Sequence, residues 1–354
     1  MMTIVPHNEP TNSHSIFYYN LTFIEDAAAV ALLLPTGVVG LVVYMLFNVT
    51  VFCTKEYRDN AYYLLAAVLG LLDCITLLGM IFYCIPSIIL RQPLGGHWVN
   101  VATGSALIFG WYAGLPIICA LAFNRYYCVC KRESYKEAFA IRRIKWVILG
   151  SILFGAVYGI FPWLDCCNFK FYPTDYAWGW STQNVGGYIV NYIELGLTCT
   201  VVLIATVCNI IVFLTYRKMH KAMSTDAGNE AVKREREFKL FVQFFVIVLW
   251  MTLFDATFVV APFVQPSKWF YLMITFMYII QCSINGWVYV GMNQSLRRRI
   301  RELLRNCKVG SAVSAQNTTT LGLQSNAENP IFQHRSSLAN IKRQSLINNK
   351  LTGT

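Results

Sequence analysis

The sequence predicts an all-α membrane protein, a bundle of seven transmembrane helices followed by a short amphipathic helix. Composition is the first reason. The chain is 56% hydrophobic and only 13% charged, whereas soluble domains carry about 25% charged residues. The second reason is arrangement: the apolar residues fall in long uncharged runs, each near the roughly 20 residues that a helix needs to cross a bilayer. A third observation orients the bundle. With seven spans drawn, all but four of the 29 Lys and Arg lie on one side, which the positive-inside rule makes cytoplasmic. The four are Arg91, Lys170, Lys268 and Arg125. This asymmetry accounts for the net charge of +11 without a nucleic-acid partner.

Residues 1–26 form a polar extracellular head without Lys or Arg. Asn20-Leu21-Thr22 is a glycosylation acceptor there. The head lacks a basic n-region and an apolar h-region, so the first span is expected to serve as the targeting signal. The bundle then occupies 27–292. Its first span runs from Ala27 to Phe52. A second acceptor, Asn48-Val49-Thr50, lies at the membrane and is expected to stay unmodified. The second span, Ala61 to Leu90, carries Asp73 near its middle. Pro93, Gly95 and Gly96 make a turn, and the third span, Val101 to Val129, ends through Asn124-Arg125-Tyr126.

The fourth span covers Lys145 to Leu164. An aromatic, Cys-bearing loop follows, from Asp165 through Trp178 and Trp180. The fifth span, Gly186 to Tyr216, holds Glu194 in its outer half. The sixth begins as a helix near Asn229, runs to Pro262 and holds Trp250 and Asp255. The seventh covers Trp269 to Met292. In 293–309, Leu296, Ile300, Leu303 and Leu304 recur at helical spacing with Arg opposite, an amphipathic helix suited to an anionic leaflet. Cys307 is either a palmitoylation site or a free thiol. Residues 310–354 are polar and expected to be disordered. Ser336, Ser337 and Ser345 follow basic residues and read as kinase sites in that tail.

Several intramembrane polar groups carry functional chemistry. Arg125 is either a topology anchor or a switch residue, since an Arg in a span is costly unless paired. In Asn285-Gly286-Trp287-Val288-Tyr289, Asn285 and Tyr289 share one helix face, and Gly286 permits close helix approach. Buried Asn285 needs a partner, and Asp73 at comparable depth is the candidate. Glu194 and Asp255 are either ligand contacts or groups satisfied within the bundle. Trp111, Tyr112 and Trp250 either line the same cavity or pack. The Cys residues sit mostly in apolar spans as small hydrophobes, and no His/Cys spacing points to a metal site or cofactor.

These residues resemble those of rhodopsin-type G-protein-coupled receptors. Such receptors carry Asp/Glu-Arg-Tyr where this chain has Asn124-Arg125-Tyr126, and Asn-Pro-x-x-Tyr where it has Asn285 to Tyr289. Their second-helix Asp matches Asp73. The departures are Leu41 for a first-helix Asn, Thr252 for a sixth-helix Pro, and Asn100 for the Cys of the usual extracellular disulfide. The resemblance leaves two possibilities for the loop thiols: Cys166 or Cys167 pairs with Cys84, or all stay free.

Within the superfamily the chain is similar to nematode serpentine chemoreceptors, the Srx branch above all, with Srt-like relatives sharing some features. The residues that carry this are Asn124-Arg125-Tyr126, Cys167-x-Phe169 with Pro173 and Trp178, Arg234 to Phe238 with Gln243, and Lys268-Trp269-Phe270. The resemblance implies a chemoreceptor of the plasma membrane, with its N-terminus outside, in the cilium of a sensory neuron. An external small-molecule or peptide ligand would bind in the outer half of the bundle. A heterotrimeric G protein would couple at the inner face, with Asn124, Arg125, Tyr126, Asp73, Asn285 and Tyr289 as the switch. Leu107 stands where aminergic receptors keep an Asp, which argues against a biogenic amine. No nucleophile–base spacing or phosphate loop points to an enzyme. The rival class is a ligand-gated channel or transporter, favoured by the acids Asp73, Glu194 and Asp255 but without an internal repeat.

Overall fold

The structure, a computed structural model, describes residues 15–181, 185–222, 229–260 and 267–305. The chain divides into two units, Met1–Ile300 and Arg301–Thr354. In the second, the described residues 301–305 are helical. In the first, seven helices among the described residues are long and apolar enough to cross a membrane: Thr22–Cys53, Ala61–Leu90, Gly96–Cys130, Ile141–Trp163, Val185–Lys218, Val242–Val260 and Lys268–Met292. The third span is central and packs against the second, fourth and fifth. The first packs on the second and seventh, and the sixth joins the fifth to the seventh.

Exposure runs opposite to that of a soluble domain. Large apolar side chains such as Phe82, Trp146, Leu203 and Ile152 face outward, while Asn48, Asn124, Asn209, Gln281 and Asn285 are buried. A lipid-facing exterior with polar groups turned inward produces this pattern. Asn48, in the acceptor expected to stay unmodified, is 3% exposed. Asn20 lies in the helical stretch that starts at Ser15, and its side chain is outside the described residues, as are Cys307, Ser336, Ser337 and Ser345.

The first helix continues on the N-terminal side of Ala27, and both acids there, Glu25 and Asp26, are paired. Asp26 meets Arg91 at 2.7 Å, and Glu25 meets Lys268. Two of the basic residues on the sparsely charged side are thus accounted for. In the second span, Met80–Cys84 is π-helical just before Pro86. Pro86 has no N–H to donate and crowds the carbonyl one turn back, so the helix widens there. Beyond the seventh span, Asn293 Oδ1 accepts from the Leu296 N–H at 3.2 Å. This caps a further helical stretch over 294–300 whose Leu296 and Ile300 are buried.

The loop after the fourth span departs from the all-α expectation. It folds into an antiparallel hairpin of β1 (Phe169–Tyr172) and β2 (Ala177–Trp180), with Phe169 opposite Trp180 and Phe171 opposite Trp178. Asn100 anchors it. Its Nδ2 donates to the Phe171 carbonyl at 3.0 Å, and its Oδ1 accepts from the Phe171 N–H at 2.8 Å. The side-chain amide thus pairs with both backbone groups of Phe171. Gly104, one turn along, lets the strand lie against the third span, since a Cβ there would collide with the Phe169 carbonyl.

Four further bonds hold the hairpin across the bundle. Tyr176 Oη donates to Asp26 at 2.6 Å, and Trp178 Nε1 donates to Cys84 Sγ at 3.1 Å. Trp180 Nε1 donates to Glu194 at 2.7 Å, and Thr275 Oγ1 donates to the Tyr176 carbonyl at 2.6 Å. The hairpin is therefore tied to the first, second, third, fifth and seventh spans. Burial, and then the bond to Asp26, raise the Tyr176 phenol above its usual range, so it stays protonated and keeps donating. The pairing of Cys84 with a loop cysteine is corrected here. Cys84 is a free, buried thiol covered by the Trp178 indole, and Cys166 is bonded to its neighbour Cys167.

Replacing Asn100 by Ala leaves both backbone groups of Phe171 buried and unpaired, at about 1–3 kcal/mol for each lost partner. The melting temperature of the full chain in detergent is expected to fall accordingly. An unchanged value would show that the hairpin is held elsewhere.

Candidate functional site

Three polar clusters lie along the bundle axis. The middle one joins the first, second and seventh spans. Tyr44 Oη donates to Asp73 Oδ2 at 2.5 Å, and Asn285 Nδ2 approaches the same oxygen at 3.4 Å. The expected Asp73–Asn285 partnership is present, but Tyr44 makes the shorter bond. Its fully buried ring fits between two glycines. A Cβ on Gly70 would lie 2.8 Å from the Tyr44 ring, and one on Gly286 would lie 3.2 Å from it. Tyr44 had no mark in the sequence beyond being an aromatic in an apolar run, which is ordinarily packing.

At the end of the third span away from the hairpin, Arg125 is 7% exposed. Its guanidinium carbon sits 3.3 Å above the centre of the Tyr62 ring. Its Nε and Nη2 have no hydrogen-bond partner, and no ion pair to it is found among the described residues. Asn124 Nδ2 donates to Tyr135 Oη at 3.2 Å, in the short helix Arg132–Ala138. Tyr62 meets Tyr289 edge-on at 5.8 Å, and Tyr289 stacks on Phe47 at 5.1 Å. Arg125 and Tyr289 therefore meet through Tyr62, which carried no mark in the sequence, while Asn124 turns to the short helix Arg132–Ala138. Tyr126 turns aside to Tyr127, at 5.6 Å.

At the hairpin end a cavity of about 100 Å³ lies between the third, fifth, sixth and seventh spans. That is several times the ~10–15 Å³ needed by one buried water. Trp111, Phe254 and Tyr278 line it from the spans, and Trp178 and Trp180 line it from the hairpin. Trp111 meets Phe254 and Tyr278 edge-on at 6.1 and 5.8 Å. Glu194 and Asp255 both reach the cavity. Glu194 accepts the Trp180 bond, whereas Asp255 is 7% exposed and its Oδ2 has no partner among the described residues.

Of the aromatic candidates, Trp111 is in the cavity and two are not. Tyr112 stacks on Tyr158 of the fourth span at 3.8 Å, because its neighbour on a helix points about 100° away. Trp250 lies one turn from Phe254, and Phe254 takes the lining position. The hairpin residues were visible as an aromatic loop, but their contribution to the cavity depends on strand register.

The family profile described as serpentine type 7TM GPCR chemoreceptor Srx matches residues 34–293. The prostaglandin E2 receptor EP4 subtype of Bos taurus is 24% identical over 200 residues, 55% of this chain. The match spans 40% of that relative's length. The crystal structure of squid rhodopsin superposes with a TM-score of 0.64 at 14% identity, covering 84% of this chain and 91% of that one. At that identity the likeness shows the fold, a seven-transmembrane bundle.

Two isosteric substitutions separate a paired hydroxyl from an unpaired one. Tyr44→Phe removes the donor to Asp73 and is expected to cost about 1–3 kcal/mol. Tyr112→Phe removes a buried hydroxyl without a partner and is expected to be neutral or slightly stabilising. Thermal melts of both variants check this. Equal effects would contradict the assigned network.

Proposed function

We propose that this chain, which belongs to the Srx family of serpentine seven-transmembrane G-protein-coupled chemoreceptors, binds an external ligand in the hairpin-end cavity and activates a heterotrimeric G protein at the Arg125 end. The observation that carries the reading is the third span itself. One continuous helix, Gly96–Cys130, borders an acid-bearing aromatic cavity near its start and buries an arginine without an acid partner near its end. The hairpin end then faces outside with the N-terminus, and the basic loops face the cytoplasm of a plasma-membrane protein. The family supports a sensory cell and its cilium as the place.

The mechanism is a population shift. A ligand that binds better to an open-faced state raises the share of that state. In the resting state Arg125 lies on Tyr62. Such a contact contributes about 0.5–2 kcal/mol, whereas breaking a buried ion pair costs about 3–5 kcal/mol. The resting state is therefore weakly restrained. On activation Arg125 leaves the Tyr62 face and, with Tyr289 and Asn124, forms part of the G-protein surface. Asp73 and Asn285 couple the seventh span to the second and so carry the change between the two ends.

Basal signalling is expected to be lower in Asn124→Asp than in the wild type, because an acid beside Arg125 strengthens its restraint. Equal basal signalling in the two would count against the Arg125 switch. In cells expressing the full chain, a ligand-evoked response is expected to disappear both under G-protein blockade and in Arg125→Ala. A current that persists through both would move the protein to the channel class.

A further inference from the structure

The hairpin-end cavity combines an aromatic wall with two carboxylates. Asp255 is more than nine-tenths buried, lines the cavity, and has no hydrogen-bond partner for Oδ2 among the described residues. Glu194 stands in the same lining and gives one oxygen to Trp180. No Lys, Arg or His lines the cavity among the described residues. Burying an acid without a partner in an apolar wall opposes folding, so this position is not explained by bundle stability. A ligand explains it if that ligand brings the missing partner.

The chemistry of that ligand follows from the walls. An anion would meet two carboxylates and no counter-charge. A neutral ligand lacking a donor would leave Asp255 as it is. A cation would pair with Asp255 and Glu194, and its neighbouring methylenes or rings would lie against Trp111, Trp178 and Tyr278. Aromatic faces attract cations through the negative charge above the ring. We infer that the cavity takes a small organic cation: an ammonium group, primary to quaternary, on an apolar or aromatic body. This deepens the receptor reading of the cavity and rests on it. Leu107 deprives only the third span of a carboxylate. Leu107 does line the cavity, and the facing fifth and sixth spans supply the acids instead. The cationic head therefore sits toward Glu194 and Asp255, and the body sits toward the hairpin and the third span.

The test uses the purified full chain in nanodiscs of neutral lipid and four probes of one skeleton. These are phenethylammonium, its trimethylammonium analogue, phenylethanol as the neutral analogue and phenylpropanoate, the phenethyl carboxylate, as the anion. Tryptophan fluorescence reports binding, since Trp111, Trp178 and Trp180 line the cavity. At least one cation is expected to bind about tenfold or more tightly than the alcohol and the anion, in keeping with a desolvated cation–aromatic and charge-paired site. That preference should collapse in Asp255→Asn and weaken in Glu194→Gln. Asp255→Asn keeps the size of the side chain and removes a buried acid whose Oδ2 has no partner among the described residues, so its melting temperature should equal or exceed that of the wild type, which separates loss of binding from loss of fold. Three results would each overturn the proposal: equal or tighter binding of the alcohol or the anion, no binding of either cation at millimolar concentration, or a cation preference that survives both substitutions. A parallel nucleotide-exchange assay keeps the two readings distinguishable. Cation binding that drives no exchange would remove the receptor reading alone, and exchange driven by a neutral ligand with no cation binding would remove this proposal alone.

Discussion

Inside a bilayer a polar side chain can be satisfied only by another part of the same chain. Most of the architecture follows from that constraint. Asp73 in the second span is met by Tyr44 and Asn285 from the first and seventh, which fixes three helices at one depth. The glycines at 70 and 286 leave a slot for the Tyr44 ring. Asn100 at the start of the third span meets a strand backbone instead of a side chain, and so turns a loop into a bound hairpin. Glu25 and Asp26 lie within the first helix, where Lys268 and Arg91 pair with them.

The exceptions to the constraint are informative. Many buried atoms without partners belong to neutral hydroxyls, amides and indoles. Three, among the described residues, belong to two side chains that carry a formal charge in water, Arg125 and Asp255. They lie toward opposite ends of the bundle. Asp255 lines the cavity that the hairpin covers, and Arg125 rests on the face of Tyr62. An uncompensated group costs folding energy that a binding partner recovers. A bundle that leaves an ionisable group without a counter-charge toward each end suits a protein that exchanges partners at both ends.

Much of this was legible in the sequence. Uncharged runs set the seven spans to within a few residues, because lipid tolerates few charges within a span. Asp73 and Asn285 could be paired because each lies in an apolar run and needs a partner at similar depth. The hairpin could not be read. Asn100 is visible only as a departure from the cysteine pattern, and its bonding to Phe171 depends on a strand register that forms around it. Tyr44 and Tyr62 escaped for a different reason. An aromatic in a membrane helix is most often packing, and nothing local distinguishes one that holds a carboxylate or an arginine. Tyr112 and Trp250 illustrate helix phase. Trp111 and Tyr112 are adjacent on a helix and so could not both face one cavity, which the sequence already implied.

On the proposed function, the Arg125 end of this bundle acts on a G protein. Guanine-nucleotide exchange on a heterotrimeric G protein, reconstituted with the purified full chain in vesicles, tests it most directly. The account predicts exchange above that of protein-free vesicles without added ligand, since Arg125 is held by an aromatic contact alone, and predicts that Arg125→Ala abolishes it. Exchange no faster than in protein-free vesicles across the G-protein classes, or exchange indifferent to Arg125→Ala, would contradict it.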